Sequence, residues 1–253
     1  MPDPAAVASA GSRRVHRVFG RLASPSRYGF AIAAPDALVG AAAAYAEVWS
    51  ARVDGSSPGD AADEWLDEAE QARAASFHFE RDRQRFVQRR AFLRRVLAGY
   101  VGVKPSSIRY RHGRGQRPEL DPPCGVSFST SHADGLAVIA IALDRVVGID
   151  IEHVRKIPED LEMARSLFTQ REQDHLGSLE SDEQSAAFLR LWTRKEAYTK
   201  ALGAGLSLPL DTFDVLGDVV MQAVGGPADG AQFALADLDM FPSHVGSIAV
   251  SAT

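Results

Sequence analysis

Two hydrophobic periods alternate along the 253-residue chain. From Asp63 to about Ser76, and again from about Arg81 to Tyr100, apolar positions recur at helical spacing. In the second segment Phe86, Leu93, Leu97 and Tyr100 fall on one stripe. Gly99 and Gly102 mark its end, with Pro105 beyond. The period then shortens. Ile108 to Arg111, Val126 to Ser129, Leu136 to Leu143 and Val146 to Glu152 read as strands. The last three, with a tight turn at Asp144-Arg145, predict an antiparallel meander. Helical spacing returns from Leu161 to Leu179, where Thr169 followed by Glu172 forms a capping box for a new helix start. It returns again from Ser181, a candidate cap, to Leu202. There Phe188, Leu191 and Trp192 make the apolar side, and Gly203 and Gly205 the exit. The remainder, SLPLDTFDVL, DVVMQAV, QFALADLD and GSIAVSAT, alternates as strands do.

Residues 1–44 fit neither period. Pro2, Pro4, Gly11, Pro25, Gly29 and Pro35 punctuate them, so they read as a poorly ordered N-terminal extension. The Ala-, Ser- and Arg-rich start lacks the apolar core of a secretory signal. A transit peptide, an unstructured extension and an early start site are the open alternatives. Tyr45 to Val53 is the first structured element, a strand or a helix end, and Asp54 to Asp60 is a loop. The fold class is α+β, with a first half over 45–145 and a second over 146–253. Ser131-His132 and the Leu-Ala-Val after it are echoed by Ser243-His244 and Ile-Ala-Val. That echo, if not chance, makes the halves similar units about a pseudo-twofold.

Composition excludes more than it selects. Hydrophobic residues make up 45% and charged residues 24%, the balance of an ordinary globular chain. The net charge of -5 gives no global reason to expect nucleic acid or an acidic membrane. No apolar run approaches the roughly 20 residues that span a bilayer. Cys124 stands alone, which excludes an internal disulfide and a cysteine-based zinc cluster. The expectation is a cytoplasmic protein.

Local charge is more informative. Between Ala72 and Arg117 the chain carries Arg73, Arg81, Arg83, Arg85, Arg89, Arg90, Arg94, Arg95, Lys104, Arg109, Arg111, Arg114 and Arg117 against only Glu80 and Asp82. Three readings are open: a solvated helix face, a site for several phosphates, or a nucleic-acid surface. In the second half, Asp150 and Glu152 are two apart on a strand, so both leave one face while Ile149 and Ile151 fill the other. They are either exposed acids at a strand end or ligands of a hard divalent cation, Mg²⁺ or Mn²⁺. About forty residues on, Glu196 and Lys200 share a helix face, while Arg194 and Lys195 point elsewhere. They are a surface ion pair or, set opposite Asp150 and Glu152, a third carboxylate and a phosphate-binding ammonium. His132 is a structural histidine or, with Ser131 and Arg117, a phosphate contact.

The spacing of G148-I-D150-I-E152 and W192-T-R-K195-E196-A-Y-T-K200, with FSTSHA upstream, resembles the signature of 4′-phosphopantetheinyl transferases. GLSLPLDTF, the GQRPEL loop and the basic helix with Arg90 resemble the family too, over roughly Tyr45 to Thr253. The length resembles the long, pseudodimeric (Sfp-like) class. That resemblance implies a monomer of two similar α/β halves about a pseudo-twofold, with a coenzyme A site between them. It implies Asp150, Glu152 and Glu196 as ligands of Mg²⁺. It implies Lys200, His132, Asp150, Arg73, Arg90, Arg117 and Ser131 as coenzyme A contacts. Glu70 stands where the family often has a basic residue one turn before Arg73. The implied reaction moves the 4′-phosphopantetheine arm of coenzyme A to a serine of an apo acyl or peptidyl carrier protein and releases 3′,5′-ADP. Glu196, directly or through a metal-bound water, would be the base, and Lys200 would stabilise developing charge. Nucleic acid and membrane are not implied. The rival readings are a non-catalytic binding module for coenzyme A or a carrier protein, a Mg²⁺-dependent coenzyme A pyrophosphate hydrolase, and a nucleic-acid reader.

Overall fold

The computed structural model describes residues 26–32, 44–54, 62–113, 117–157, 160–221, 232–239 and 242–252. Most of the expected N-terminal extension, most of the expected loop from Asp54 to Asp60, and residues 114–116 and 222–231 lie outside the described residues.

Two four-stranded sheets pack face to face, each with a long helix on its outer side. The first half contributes β1 (Ser26–Ile32), β2 (Ala44–Arg52), α1 (Glu68–Ala75), α2 (Glu80–Val101), β3 (Tyr110–His112), β4 (Pro118–Leu120), β5 (Val126–Ala133) and β6 (Leu136–Leu143). The second contributes β7 (Val147–His153), α3 (Asp160–Leu167), α4 (Gln170–Gly177), α5 (Ser181–Leu202), β8 (Val219–Met221), β9 (Gln232–Asp237) and β10 (His244–Ser251). The sheet orders are β1-β2-β6-β5 and β7-β10-β9-β8, and β3 pairs with β4 apart from both.

Each half repeats one connectivity: a strand, a long helix, then two strands of which the second lies beside the first. In the first half this is β2, α2, β5, β6 in the order β2-β6-β5. In the second it is β7, α5, β9, β10 in the order β7-β10-β9. The echo of Leu136-Ala-Val and Ile248-Ala-Val falls on the equivalent central strands β6 and β10.

The continuous apolar run of β6 follows from burial on both faces. Leu136, Val138, Ala140 and Ala142 meet Val147, Ile149, Ile151, Ile248 and Val250 in the core between the sheets. Ala137, Ile139 and Ile141 face Phe92, Leu93, Val96 and Leu97 of α2. The second sheet turns Phe233, Leu235 and Ala249 to Leu191, Ala197, Tyr198 and Ala201 of α5.

Local signals set the ends. Both long helices stop at a left-handed glycine, Gly102 at φ 72° and Gly203 at φ 70°. The β5–β6 hairpin turns on Asp134 and Gly135, both at positive φ, as a two-residue turn requires. The Thr169/Glu172 capping box is present at α4.

Several expectations need correction. Ser26–Ile32, inside the stretch read as an extension, is an edge strand paired antiparallel with β2. The three successive strands are not a meander. β5 and β6 form a hairpin, but β7 joins the other sheet, where Asp150 stands opposite Ser247 of β10. The segment SLPLDTFDVL is not a strand: it starts at the end of one short 3-10 turn, Gly205–Ser207, and contains another, Leu210–Thr212, and its Leu208, Leu210, Phe213 and Val215 pack in the cluster with α5. Ser181 is not a cap: Glu180 holds that position, and no side chain caps the helix.

Candidate functional site

The site forms where the free edge of β5 meets the free edge of β7. The two strands run in the same direction there, joined by serine hydroxyls instead of a backbone ladder. Ile149 N donates to Ser129 Oγ at 3.2 Å, and Ile151 N to Ser131 Oγ at 3.3 Å. Gly148 lets α5 lie against β7, since a Cβ there would sit 1.9 Å from the Ala197 carbonyl oxygen. That close approach brings the last turn of α5 down on Asp150.

Asp150 is 5% exposed. Its Oδ1 accepts from Lys200 Nζ at 2.6 Å and from Ser131 Oγ at 2.8 Å. Its Oδ2 is buried with no hydrogen-bond partner among the described residues. Burial raises the Asp150 pKa above the ordinary carboxylate value, and the Lys200 ammonium opposes that rise. Glu196, half-buried on the same helix face as Lys200, is also raised, first by desolvation and then by the Asp150 charge. Glu152 adds to that repulsion while pairing with Arg155 at 3.2 Å.

Among the described residues no three His, Cys, Asp or Glu side chains stand close enough together to hold a metal ion as they are. The donor set nevertheless suits a hard divalent cation. Three carboxylates lie within electrostatic reach of one another, and one buried carboxylate oxygen has no partner among the described residues.

Two cavities flank this centre. One, of about 230 Å³, is lined by Arg117, Phe128, Ser129, Thr130, Lys200, Gly203 and Gly205. Arg117 spans the halves there, donating to the Ala201 carbonyl at 3.1 Å and to Glu119 at 3.3 Å. The other, of about 200 Å³, lies between α2 and the β5–β6 hairpin, and Phe86, Arg89, Arg90, Ser131 and His132 line it. His132 is exposed at its rim. Partial desolvation, then the charges of Arg89 and Lys200, hold the imidazole below its ordinary pKa. A neutral imidazole beside arginines is a ready anion site, because a bound phosphate would favour its protonation.

Structure and sequence part company over the arginines. Arg90 lines the second cavity, but its guanidinium pairs with Glu70 and stacks on the Tyr110 ring at 5.2 Å. Arg73 lines neither flanking cavity; it is exposed on α1, over the Phe77 ring at 5.2 Å. Arg94 is fully buried and ties Asp67 and Glu70 to the Pro105 and Ile108 carbonyls. The residue that sequence reasoning passed over is Arg89. It is half-buried against Arg85 and Arg90 and makes no ion pair among the described residues; desolvation holds its pKa down. The signal was its helical phase, three residues after Phe86 and four before Leu93, which places it on the inward stripe.

Comparison with known proteins places the second half. The family model of the 4′-phosphopantetheinyl transferase superfamily matches residues 146–231. The 4′-phosphopantetheinyl transferase HetI of Nostoc sp. is 37% identical over 145 residues, 56% of this chain and 61% of that protein. The 4′-phosphopantetheinyl transferase Sfp of Bacillus subtilis is 33% identical over 139 residues, 55% of this chain and 61% of the relative. A phosphopantetheinyl transferase of Thraustochytrium sp. is 29% identical over 226 residues, 81% of this chain and 78% of the relative. The match therefore spans about 61% of the length of the first two relatives. Among solved structures, the holo-[acyl-carrier-protein] synthase of Thermotoga maritima aligns with a TM-score of 0.32 at 17% identity, covering 42% of this chain and 62% of that one.

Proposed function

We propose that this chain is a 4′-phosphopantetheinyl transferase, and that it transfers the 4′-phosphopantetheine arm of coenzyme A to a serine of an apo acyl or peptidyl carrier protein. The observation that carries this reading is the convergence of both halves on one centre. Asp150 and Lys200 come from the second half and Ser131 from the first, with Glu196 beside them.

The carrier serine hydroxyl attacks the β-phosphorus of coenzyme A. A new phosphoester bond forms, the phosphoanhydride bond breaks, and 3′,5′-ADP leaves with the bonding pair. Glu196 takes the serine proton. A carboxylate with a raised pKa is a stronger base than an ordinary surface glutamate, which suits it to that role. The Lys200 ammonium, held by Asp150, faces charge growing on the bridging oxygen. Arg117 steadies the diphosphate from the first half. Arg89 and His132 receive the nucleotide phosphate in the cavity beside α2, whose wall Arg90 shares while paired to Glu70. Orientation of two bound partners supplies much of the rate.

Asp150, Glu152 and Glu196 would hold Mg²⁺, or Mn²⁺ in its place. The cation would neutralise the diphosphate and make the phosphorus more electrophilic.

The test is direct. The protein is mixed with apo carrier protein, coenzyme A and Mg²⁺, and the carrier is weighed by intact mass spectrometry. A gain equal to one phosphopantetheine group is expected. Glu196→Gln should retain coenzyme A binding and lose the transfer. Breakdown of coenzyme A with no gain on any carrier would replace transfer with hydrolysis.

A further inference from the structure

Between Arg194 and Glu196 lies Lys195, a lysine with no place in the chemistry above. It points away from the site and is fully buried. Its Nζ donates to Glu172 Oε2 at 2.8 Å, to the Leu210 carbonyl at 2.7 Å and to the Phe213 carbonyl at 2.7 Å. All three ammonium protons are thereby used. The ring of Phe213 lies 4.4 Å from it and that of Phe168 at 5.6 Å. Glu172 is equally buried; its Oε2 accepts from Thr169 N at 2.9 Å and its Oε1 from Val215 N at 2.8 Å. Stability is a weak reason for such a pair, because well-packed apolar residues of similar volume often hold a fold as well as a buried ion pair does.

What the pair does uniquely is fix direction. Three successive side chains of α5 are tied three ways just before Glu196. Thr193 Oγ1 meets Ser247 Oγ of β10 at 2.9 Å. Arg194 clasps Asp237 of β9 at 2.7 and 3.0 Å and donates to the Val215 carbonyl at 2.8 Å. Lys195 holds Glu172 of α4. A helix tied on three sides cannot turn about its axis, and turning would swing Glu196 and Lys200 together off Asp150. The Lys195–Glu172 pair also grips Leu210, Phe213 and Val215. They belong to the connector that leaves α5 through Gly203 and Gly205, two lining residues of the cavity shared by Lys200 and Arg117.

We propose that Lys195 and Glu172 are positioning residues. They set the rotation of α5 and the path of residues 205–215, so that Glu196 and Lys200 are aligned with the reacting phosphorus. This rests on the transferase reading given above.

The deciding variant is Lys195→Met combined with Glu172→Leu, which removes both buried charges. We expect it to fold but to melt lower than wild type, because Thr169 N, Val215 N and the Leu210 and Phe213 carbonyls lose their partners, with KM for coenzyme A changed by less than about 3-fold. We expect kcat to fall by about 30- to 100-fold, as small misplacements of reacting groups do. Amide hydrogen exchange across 205–215 should quicken in parallel. A folded double variant with wild-type kcat and unchanged exchange would overturn the proposal. If the double variant does not fold, Glu172→Gln decides: reduced kcat at constant KM supports positioning, and wild-type kcat refutes it. Leu176→Ala serves as control. If this core truncation lowers kcat as much at equal loss of melting temperature, the pair is merely structural. Should wild type transfer nothing, the transferase reading fails by itself, and the exchange across 205–215 still decides whether the pair holds the connector.

Discussion

Lys200 Nζ sits 2.6 Å from Asp150 Oδ1, while the other Asp150 oxygen is buried without a partner among the described residues. A salt bridge that satisfies half of a carboxylate is a poor structural device and a good receptor. One oxygen fixes the ammonium, and on the proposed function the other would meet the cation. Lys200→Met should therefore cut transfer by about 100-fold or more, the usual cost of losing a preorganised charge beside the reacting group. Single-turnover kinetics with saturating coenzyme A would measure it. Transfer within 3-fold of wild type would remove Lys200 from the mechanism.

Glu196 gives the pH dependence its sign. Desolvation and the Asp150 charge raise its folded pKa above the unfolded value. Such an acid contributes stability only while protonated; the contribution is full below the ordinary carboxylate range and is lost as pH rises through the folded value. In metal-free buffer, Glu196→Gln should thus melt higher than wild type at neutral pH. The gap should close as pH falls through the raised Glu196 value. A gap that is constant with pH would show that Glu196 carries no such strain.

Arg89 is testable without any turnover. Its charge, after desolvation, is a cause of the low His132 pKa. Arg89→Gln should raise that pKa, read from the imidazole resonances in an NMR titration, and weaken 3′,5′-ADP binding by about 10-fold, in line with one lost charged hydrogen bond. An unmoved His132 titration would place Arg89 outside the cavity.

Gly148 is the point where strand and helix touch. A methyl group there would fall 1.9 Å from the Ala197 carbonyl oxygen and 2.5 Å from Ala201 N. Gly148→Ala should destabilise by about 3 kcal/mol, toward the upper end of overpacking costs, and should abolish transfer by moving Asp150 from Lys200. Urea unfolding measures the first effect; a loss under 1 kcal/mol would contradict it.

Tyr198 offers the opposite outcome. Its ring is fully buried against Phe213 and Phe233, its hydroxyl has no hydrogen-bond partner among the described residues, and burial pushes its pKa up to about 12. Tyr198→Phe removes an unsatisfied polar group and should stabilise by about 1 kcal/mol with transfer unchanged. A lower melting temperature would mean that the hydroxyl has a partner after all.

The sequence by itself determined the features whose physics is local. Helix phase placed Leu93 and Leu97 inward, left-handed glycines ended both long helices, and Thr169 with Glu172 made their capping box. Two-residue alternation set Ile149 and Ile151 against the core and Asp150 toward α5. These depend on neighbours within a turn or a pleat, so the chain order carries them.

Tertiary structure decided the partners. No local rule sends β7 to β10 and has Ser129 and Ser131 hydrogen-bond it to β5. Likewise no local rule engages Arg90 with Glu70 while leaving Arg89 for the cavity, since adjacent arginines differ only in which distant carboxylate they meet. The burial of Lys195 was equally out of reach. Its polar character predicts exposure, and only packing from α4 and the segment at 210–215 supplies the three acceptors that make burial tolerable.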